Sequence, residues 1–466
     1  MKEMLEKNLT KEMYIEGGNL FFKFKNVEEL KEFQEKLLRP TLEAAYKNVP
    51  YWHRKFKEIG LKPEDIKNVD DLAKAYEKGL KITSDNLVKN FGELLPTWIR
   101  NNETSFTVFS SSGTKGFPKM VPYTPDAIER MSKMGLDMKE LFSEVGDRVF
   151  NQLAPAPFSS GPMLLATVFS KSNRVVFEYV TQQPLPPEFI NRLFGLYKFN
   201  VILTSPLAAF NIGHILSKEN KNSVKRMILS AEPTTEGLRK KIEEMFPSLE
   251  EIDTLYASTE YGVNAIGNVK INELAVHPLN LFGVATEDGE LVFYEEAEGK
   301  DVFTALHYPQ TKPGIYFINY SHGDSIKQLG FGETEVCNKR ILGVIIRQPT
   351  RSDEILNLWG YKVDSRDLDL LPVENFGYVV LFNEREEGGI KKYSFTVRYV
   401  PPKEGKKITK EDFLKVITHS NPPAYGFLEG MIKNGLLEIR FEERSPENLY
   451  DGIKVSPAKK TRLVRI

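Results

Sequence analysis

A single cysteine, Cys337, in 466 residues excludes an internal disulfide and any zinc site built on several thiolates, and the expected compartment is a reducing cytoplasm. Charge of one sign is missing as well. The 63 basic and 64 acidic residues leave a net charge of −1, so no global field gathers nucleic acid or an anionic membrane. Any anion site must be local. The charge-free stretch Val149 to Ser170 holds three prolines, a glycine, Asn151 and Gln152, which argues against a membrane span. The opening MKEMLEKNLTKEMYIEGG has no apolar core of the kind a secretory signal needs. The six histidines, His53, His214, His277, His307, His322 and His419, lie far apart without metal-ligand spacing and read as structural or surface residues.

What is present is a globular chain, 41% hydrophobic, long enough for two to four domains. From Asn26 to Val49 apolar residues recur at helical spacing, and Pro40 is expected to interrupt them. Between Val149 and Glu260 short β-rich runs alternate with helical stretches such as Thr235 to Phe246. That alternation predicts an α/β fold with a largely parallel sheet. GVATEDGELVFYEE, residues 283–296, predicts a hairpin on a two-residue turn at Asp288-Gly289, and antiparallel structure follows. A boundary is expected near residue 350, giving a large N-terminal α/β domain with mixed sheets (1–350) and a small α+β domain (351–466).

The densest local signal is SSSGTKGFPK, residues 110–119, with three serines, a threonine, two glycines and two lysines in ten positions. Hydroxyls, permissive backbone and compact cations together suit a multiply charged anion. A Walker phosphate loop would run straight into a helix. Here Lys119 is followed by MVPY, and the next helix is expected only at Thr124-Pro125, so the loop should join two strands, SFTVF and MVPY, as a flap. Three further runs, VILTSP (201–206), MILSAEP (227–233) and TLYASTE (254–260), pass from apolar strand to polar tip. In open α/β sheets ligands gather at such carboxyl ends. Pocket walls are expected from Pro157 to Gly161, Leu203 to Phe210 and Ser230 to Glu232.

These residues resemble a family. SSGTKGFPK, with Ser111, Ser112, Gly113, Thr114, Lys115, Gly116 and Lys119, is similar to the phosphate-binding signature of the adenylate-forming enzymes, which include acyl-CoA synthetases, adenylation domains and firefly luciferase. YASTE resembles a second signature, in which Tyr256 lies by adenine, Ala257, Ser258 and Thr259 line the α-phosphate side, and Glu260 holds magnesium. Ser230, Ala231, Glu232 and Pro233 resemble the adenine-side turn, and Asp324 in YSHGD the aspartate that grips the ribose. Arg351 and the hinge residue Asp353 resemble the hinge element, and KKTR (459–462) the segment carrying the catalytic lysine, Lys459, with Lys460 and Lys454 as alternatives. The openings LEAAYKNVPYW and IKNVDDL resemble the phenylacetate-CoA ligase branch, while YASTEYG is also similar to acyl-amido synthetases. Trp359, Ala257, His322 and Ala458 depart from the usual residues of these motifs.

The resemblance implies an enzyme that joins a carboxylic acid to AMP, using ATP and magnesium, releases pyrophosphate, and passes the acyl group to a thiol such as coenzyme A, with an amine as the alternative acceptor. It implies Lys119, Glu260 and Lys459 as the catalytic set, with Lys459 on a mobile lid. No nucleic acid or membrane partner is expected. Cys337 is expected to be buried and without a nucleophile's role.

Overall fold

The N-terminal amphipathic run forms one helix where an interruption is expected. In the computed structural model α1 (Val27–Asn48) continues through Pro40, and Asn26 caps it by accepting from the Glu29 amide at 2.9 Å. Proline removes one helical donor, at a cost of about 3 kcal/mol. Leu30, Phe33, Leu37, Leu38 and Leu42 are all buried on the same helix, and at about 1.5–3 kcal/mol each their burial outweighs that cost. The structure describes residues 18–110, 119–144, 146–153, 175–178, 186–230, 234, 236–305, 312–321, 323–351, 355–358, 361–373, 377–387, 390–401, 407–419, 424–451 and 463–465.

By internal contacts the chain forms two compact units, residues 1–234 with 242–349, and residues 235–241 with 350–466. In the first, the opening strands are β1 (Ile82–Thr83), β2 (Thr107–Ser110), β3 (Met120–Tyr123), β4 (Arg148–Asn151), β5 (Val175–Glu178), β6 (Val201–Thr204), β7 (Arg226–Ser230) and β8 (Glu251–Ser258). They are followed by β9 (Gly262–Asn268), β10 (Glu273–Val276), β11 (Asn280–Ala285), β12 (Leu291–Phe293), β13 (Glu296–Ala305), β14 (Tyr320–Ser321), β15 (Asp324–Val336) and β16 (Lys339–Ile346). The main sheet runs β1-β14-β13-β15-β16-β10-β9-β8-β7-β6-β4-β5. Neighbours from β5 to β8 are parallel, as the α/β alternation predicts. From β8–β9 onward the pairing is antiparallel up to β13–β14, and β14 with β1 returns to parallel, so the sheet as a whole is mixed, as expected. The helical stretch expected at 235–246 is the helix Glu236–Met245.

The 283–296 segment does form a hairpin, β11 against β12, but not on a two-residue turn. Ala285 pairs with Leu291, and the Thr286 amide bonds Glu290 O at 2.9 Å, so Asp288-Gly289 sits inside a five-residue connection. The two-residue turn with left-handed backbone falls instead at Cys337 (φ 49°) and Asn338 (φ 59°), between Val336 and Lys339.

The second unit carries a four-stranded sheet in the order 437–443, 390–399, 378–387, 463–465, with helices Lys410–Ile417 and Ala424–Lys433. The fold class is thus α/β with mixed sheets in the larger unit and α+β in the smaller. Among the described residues no helix is long and apolar enough to cross a membrane.

Candidate active site

The flap is built as the sequence implies. β2 and β3 pair antiparallel from Thr107↔Tyr123 to Ser110↔Met120, which places residues 111–118 as their connection. Residues 111–118 themselves lie outside the described residues, and Lys119 is the one member of the loop signature that is described. Beyond β3, Thr124 caps α3 (Pro125–Phe142) by accepting from the Ala127 amide, with Pro125 at the first helical position. Helix formation is thereby delayed until the chain has left the flap.

Glu260 sits at the tip of the β8–β9 hairpin. Ser258 pairs with Gly262, leaving Thr259, Glu260 and Tyr261 as the loop, and Gly262 takes φ +77°, a conformation that favours glycine. The Ser258 hydroxyl accepts from the Tyr261 amide at 3.2 Å and fixes the turn. The Tyr123 hydroxyl donates to the Thr259 carbonyl, tying β3 to this tip. These bonds bring the two expected catalytic residues together: Lys119 Nζ donates to Glu260 Oε1. The carboxylate is only 5% exposed, so a charge partner is required there.

A third group closes the constellation. The Tyr320 hydroxyl donates to Glu260 Oε1 at 2.8 Å, accepts from Lys119 Nζ at 3.2 Å, and lies 3.0 Å from Ser84 Oγ. Sequence reasoning placed Tyr320 in the YSHGD motif without giving it a role and missed Ser84, because what joins them is a pairing 236 residues apart. β14 pairs parallel with β1 in the register Ile82↔Tyr320, and α2 (Ser84–Lys89) begins directly after β1. The approach to β14 is clamped as well. Trp52 Nε1 donates to Tyr316 O and Trp98 Nε1 to Pro313 O, each at 3.0 Å, and the Asn319 amide group donates to Leu80 O at 2.9 Å. Gly314 runs so close over β3 that a Cβ there would lie 1.6 Å from Pro122 O.

The remaining expected residues divide. Tyr256, on β8, donates its phenol proton to Asp324 Oδ2, at the first position of β15, over 2.7 Å. Ala257 is exposed, and Ser258 and Thr259 are half-buried beside it. Ser230 ends β7 and donates to Leu255 O at 3.0 Å, bracing the sheet. Arg351 ends the short strand Thr350–Arg351. Ala231, Glu232, Pro233, Asp353, Lys454, Lys459 and Lys460 lie outside the described residues, as do Pro157 to Gly161 and His322. Leu203 to Phe210 runs from β6 into the helix Pro206–Ile215. A small pocket has Glu260 in its wall, with Val121, Tyr123, Arg130, Met131 and Phe317 among the other lining residues.

At the opposite end of β8 lies a different group. Glu251, Asp253 and Cys337 place one potential ligand atom each within 4.8 Å of one another, and the Cys337 thiol donates to Asp253 Oδ2 at 2.8 Å. Burial pushes the Asp253 carboxyl up from 3.8 to about 7, and pushes the Cys337 thiol well up, so this cysteine is buried and stays protonated at neutral pH.

The geometry agrees with the comparisons. This chain belongs to the AMP-binding enzyme family, whose family model matches residues 46–302. It is 24% identical over 368 residues to phenylacetate-coenzyme A ligase of Escherichia coli (strain K12), spanning 74% of this chain and 76% of that protein. The phenylacetate-coenzyme A ligase of Pseudomonas putida is 23% identical over 280 residues, 58% of each chain. The expected superfamily and branch are therefore borne out. Among solved structures, 2-hydroxyisobutyryl-CoA ligase in the postadenylation state with 2-HIB-AMP superposes with a TM-score of 0.69 at 14% identity, over 94% of this chain and 90% of that one. The same protein with 2-HIB-AMP and CoA in its thioesterification state gives 0.59 at 15% identity, with the same coverage. At such identities the likeness speaks for the fold.

Proposed function

We propose that this enzyme activates a carboxylic acid with ATP and transfers the acyl group to coenzyme A. A carboxylate oxygen attacks the α-phosphorus, the bond to the bridging oxygen breaks, and pyrophosphate leaves. The thiol then attacks the acyl carbonyl carbon and AMP leaves. The observation that carries this reading is the meeting of Lys119, Glu260 and Tyr320 at the carboxyl end of β8, next to the connection that holds the 111–118 signature. The names of the relatives, acid-CoA ligases throughout, support the choice of thiol over amine.

The first step brings one anion onto another, so its barrier is largely electrostatic. Lys119, directly before β3, supplies a cation for the phosphates. Glu260 suits magnesium, since its buried carboxylate already holds the ammonium of Lys119 in the structure. Magnesium, when bound, offsets charge on the transferring phosphate. Asp324 accepts from the ribose hydroxyls, with Tyr256 steadying its Oδ2. Lys459 is the proposed cation for the α-phosphate, as the Lys-x-x-Arg resemblance implies, and Asp353 the proposed hinge. Pyrophosphate and AMP measured together across a panel of carboxylic acids test the proposal. Release of ADP, or no acid-dependent pyrophosphate, contradicts it.

A further inference from the structure

We propose that Glu251, Asp253 and Cys337 form a binding site for one divalent cation of borderline softness, Zn²⁺ by preference, at the end of β8 away from Glu260. The site is independent of the acid-activating function proposed above. Its role is to fasten the tip of the β15–β16 hairpin to the start of β8.

The chain builds the site from two directions. Glu251 and Asp253 are two residues apart on β8, so their side chains leave the same face of the strand. The Cys337-Asn338 turn brings the sulfur to them, and one ligand atom from each of the three residues lies within 4.8 Å of the others. The end of the hairpin is anchored without the sulfur: Lys339 Nζ donates to the carbonyls of Glu140 and Leu141 in the last turn of α3, at 2.6 and 3.1 Å. Left-handed backbone at both turn positions suits glycine better than cysteine. What Cys337 adds is a thiol against two carboxylates.

Those carboxylates lack the partners that burial demands. Asp253 is fully buried and its Oδ1 has no hydrogen-bond partner, and Glu251 Oε1, also shut off from solvent, has none either. An ionised carboxylate so placed needs a cation or a proton. Arg226 faces Glu251 in the β7–β8 register, but its guanidinium bonds both oxygens of Asp147, at 2.9 and 3.0 Å, and Phe142 O at 3.2 Å. The Cys337 thiol donates to Asp253 Oδ2 at 2.8 Å and leaves Oδ1 unsatisfied.

The donor set selects the ion. One thiolate with two carboxylates suits Zn²⁺, which takes sulfur and oxygen ligands together, whereas Mg²⁺ and Ca²⁺ call for oxygen throughout. On binding, the cation replaces the thiol proton, which passes to solvent. Glu251, the most exposed of the three, gives the ion its way in. Residues 251 and 337 meet only in the folded chain, so the ion binds the folded state and stabilises it.

The test uses the full chain, treated with chelator and dialysed, with Co²⁺ as the optical probe and Zn²⁺ as its competitor. Cys337 is the only cysteine, so a thiolate-to-Co²⁺ charge-transfer band can arise from no other residue. The wild-type chain is expected to give that band at one equivalent of Co²⁺. Zn²⁺ should remove the band and raise the thermal midpoint, and Mg²⁺ should do neither. Cys337→Ser is expected to abolish the band, and Glu251→Gln to keep it while weakening Zn²⁺ binding roughly tenfold or more, at least the cost of losing an outer-shell partner. No band from the wild-type chain in excess Co²⁺ overturns the proposal and makes the cluster a proton-sharing network only. Wild-type Zn²⁺ affinity in Glu251→Gln overturns it as well, since the cation would then sit on the sulfur without that carboxylate. Both of these readings stand even where Cys337→Ser fails to fold.

Discussion

Tyr256 and Asp324 meet across 2.7 Å, joining the end of β8 to the start of β15 through a phenol proton on Oδ2. The contact orients a carboxylate that the proposed function assigns to the ribose hydroxyls. Asp324→Ala should weaken ATP binding by about 1.5–3 kcal/mol, and Tyr256→Phe, which removes only the steadying bond, by about 0.5–1.5 kcal/mol. Isothermal calorimetry measures both. Unchanged affinity in Asp324→Ala would reduce it to a turn residue at the head of β15.

The Lys119–Glu260 pair makes predictions for stability and rate that separate. In Lys119→Ala the buried carboxylate keeps the Tyr320 bond but loses the ammonium on its Oε1. Stability of the ligand-free protein should fall by roughly 1–3 kcal/mol, less than for a fully buried pair because Lys119 is partly exposed. Adding Glu260→Gln should restore part of that loss. Both single variants should slow adenylate formation by about a hundredfold or more, read as pyrophosphate release. A double variant no more stable than Lys119→Ala would show that the pair carries little of the local energy.

How much of this was legible in the sequence depends on whether the cause was local. The β2–β3 pairing around the loop signature, the Thr124 cap and the parallel run of β6, β7 and β8 follow from residues adjacent in the chain, and the structure has them. Pro40 misled because its local cost is set against packing by the rest of α1, which is tertiary. The Cys337-Asn338 turn has no glycine to announce it, and Asp288-Gly289 announces a tighter turn than the one built. Tyr320 lies in the YSHGD motif but its contact with Ser84 had no local signal, since parallel pairing of β1 with β14 brings them together. The carboxylates around Cys337 were hidden for the same reason, one strand against another hairpin's tip.

Asp253 should make stability depend on pH in a direction opposite to that of a salt-bridged acid. Its carboxyl titrates at about 7 in the folded chain against 3.8 in the unfolded one, because burial penalises the charged form. The folded state therefore holds the proton longer, and stability is lost as pH rises from about 4 to 7, then levels off. Asp253→Asn removes the ionisation while keeping an oxygen for the Cys337 thiol. Relative to wild type the variant should gain stability between pH 5 and 7.5, on the order of 2–4 kcal/mol at the upper end. Urea unfolding at the two pH values decides it, and a constant difference between variant and wild type would contradict the assignment.

Lys459→Ala should depress adenylation strongly, yet spare acyl transfer from a supplied acyl-adenylate, because the second step has no new phosphate charge to offset. The two half-reactions can be timed separately by quenched flow. Adenylation at the wild-type rate would move the role to Lys460 or Lys454.

Lys119, Glu260 and Asp324 are proposed to serve one reaction on ATP and a carboxylic acid. Incubating the full chain with ATP, magnesium, coenzyme A and a panel of acids, then quantifying AMP, ADP, pyrophosphate and thioester in the same samples, tests it most directly. AMP and pyrophosphate are expected in equal amounts, dependent on the acid, with an acyl-CoA thioester matching them. ADP in place of AMP, or nucleotide left intact with every acid, would contradict it.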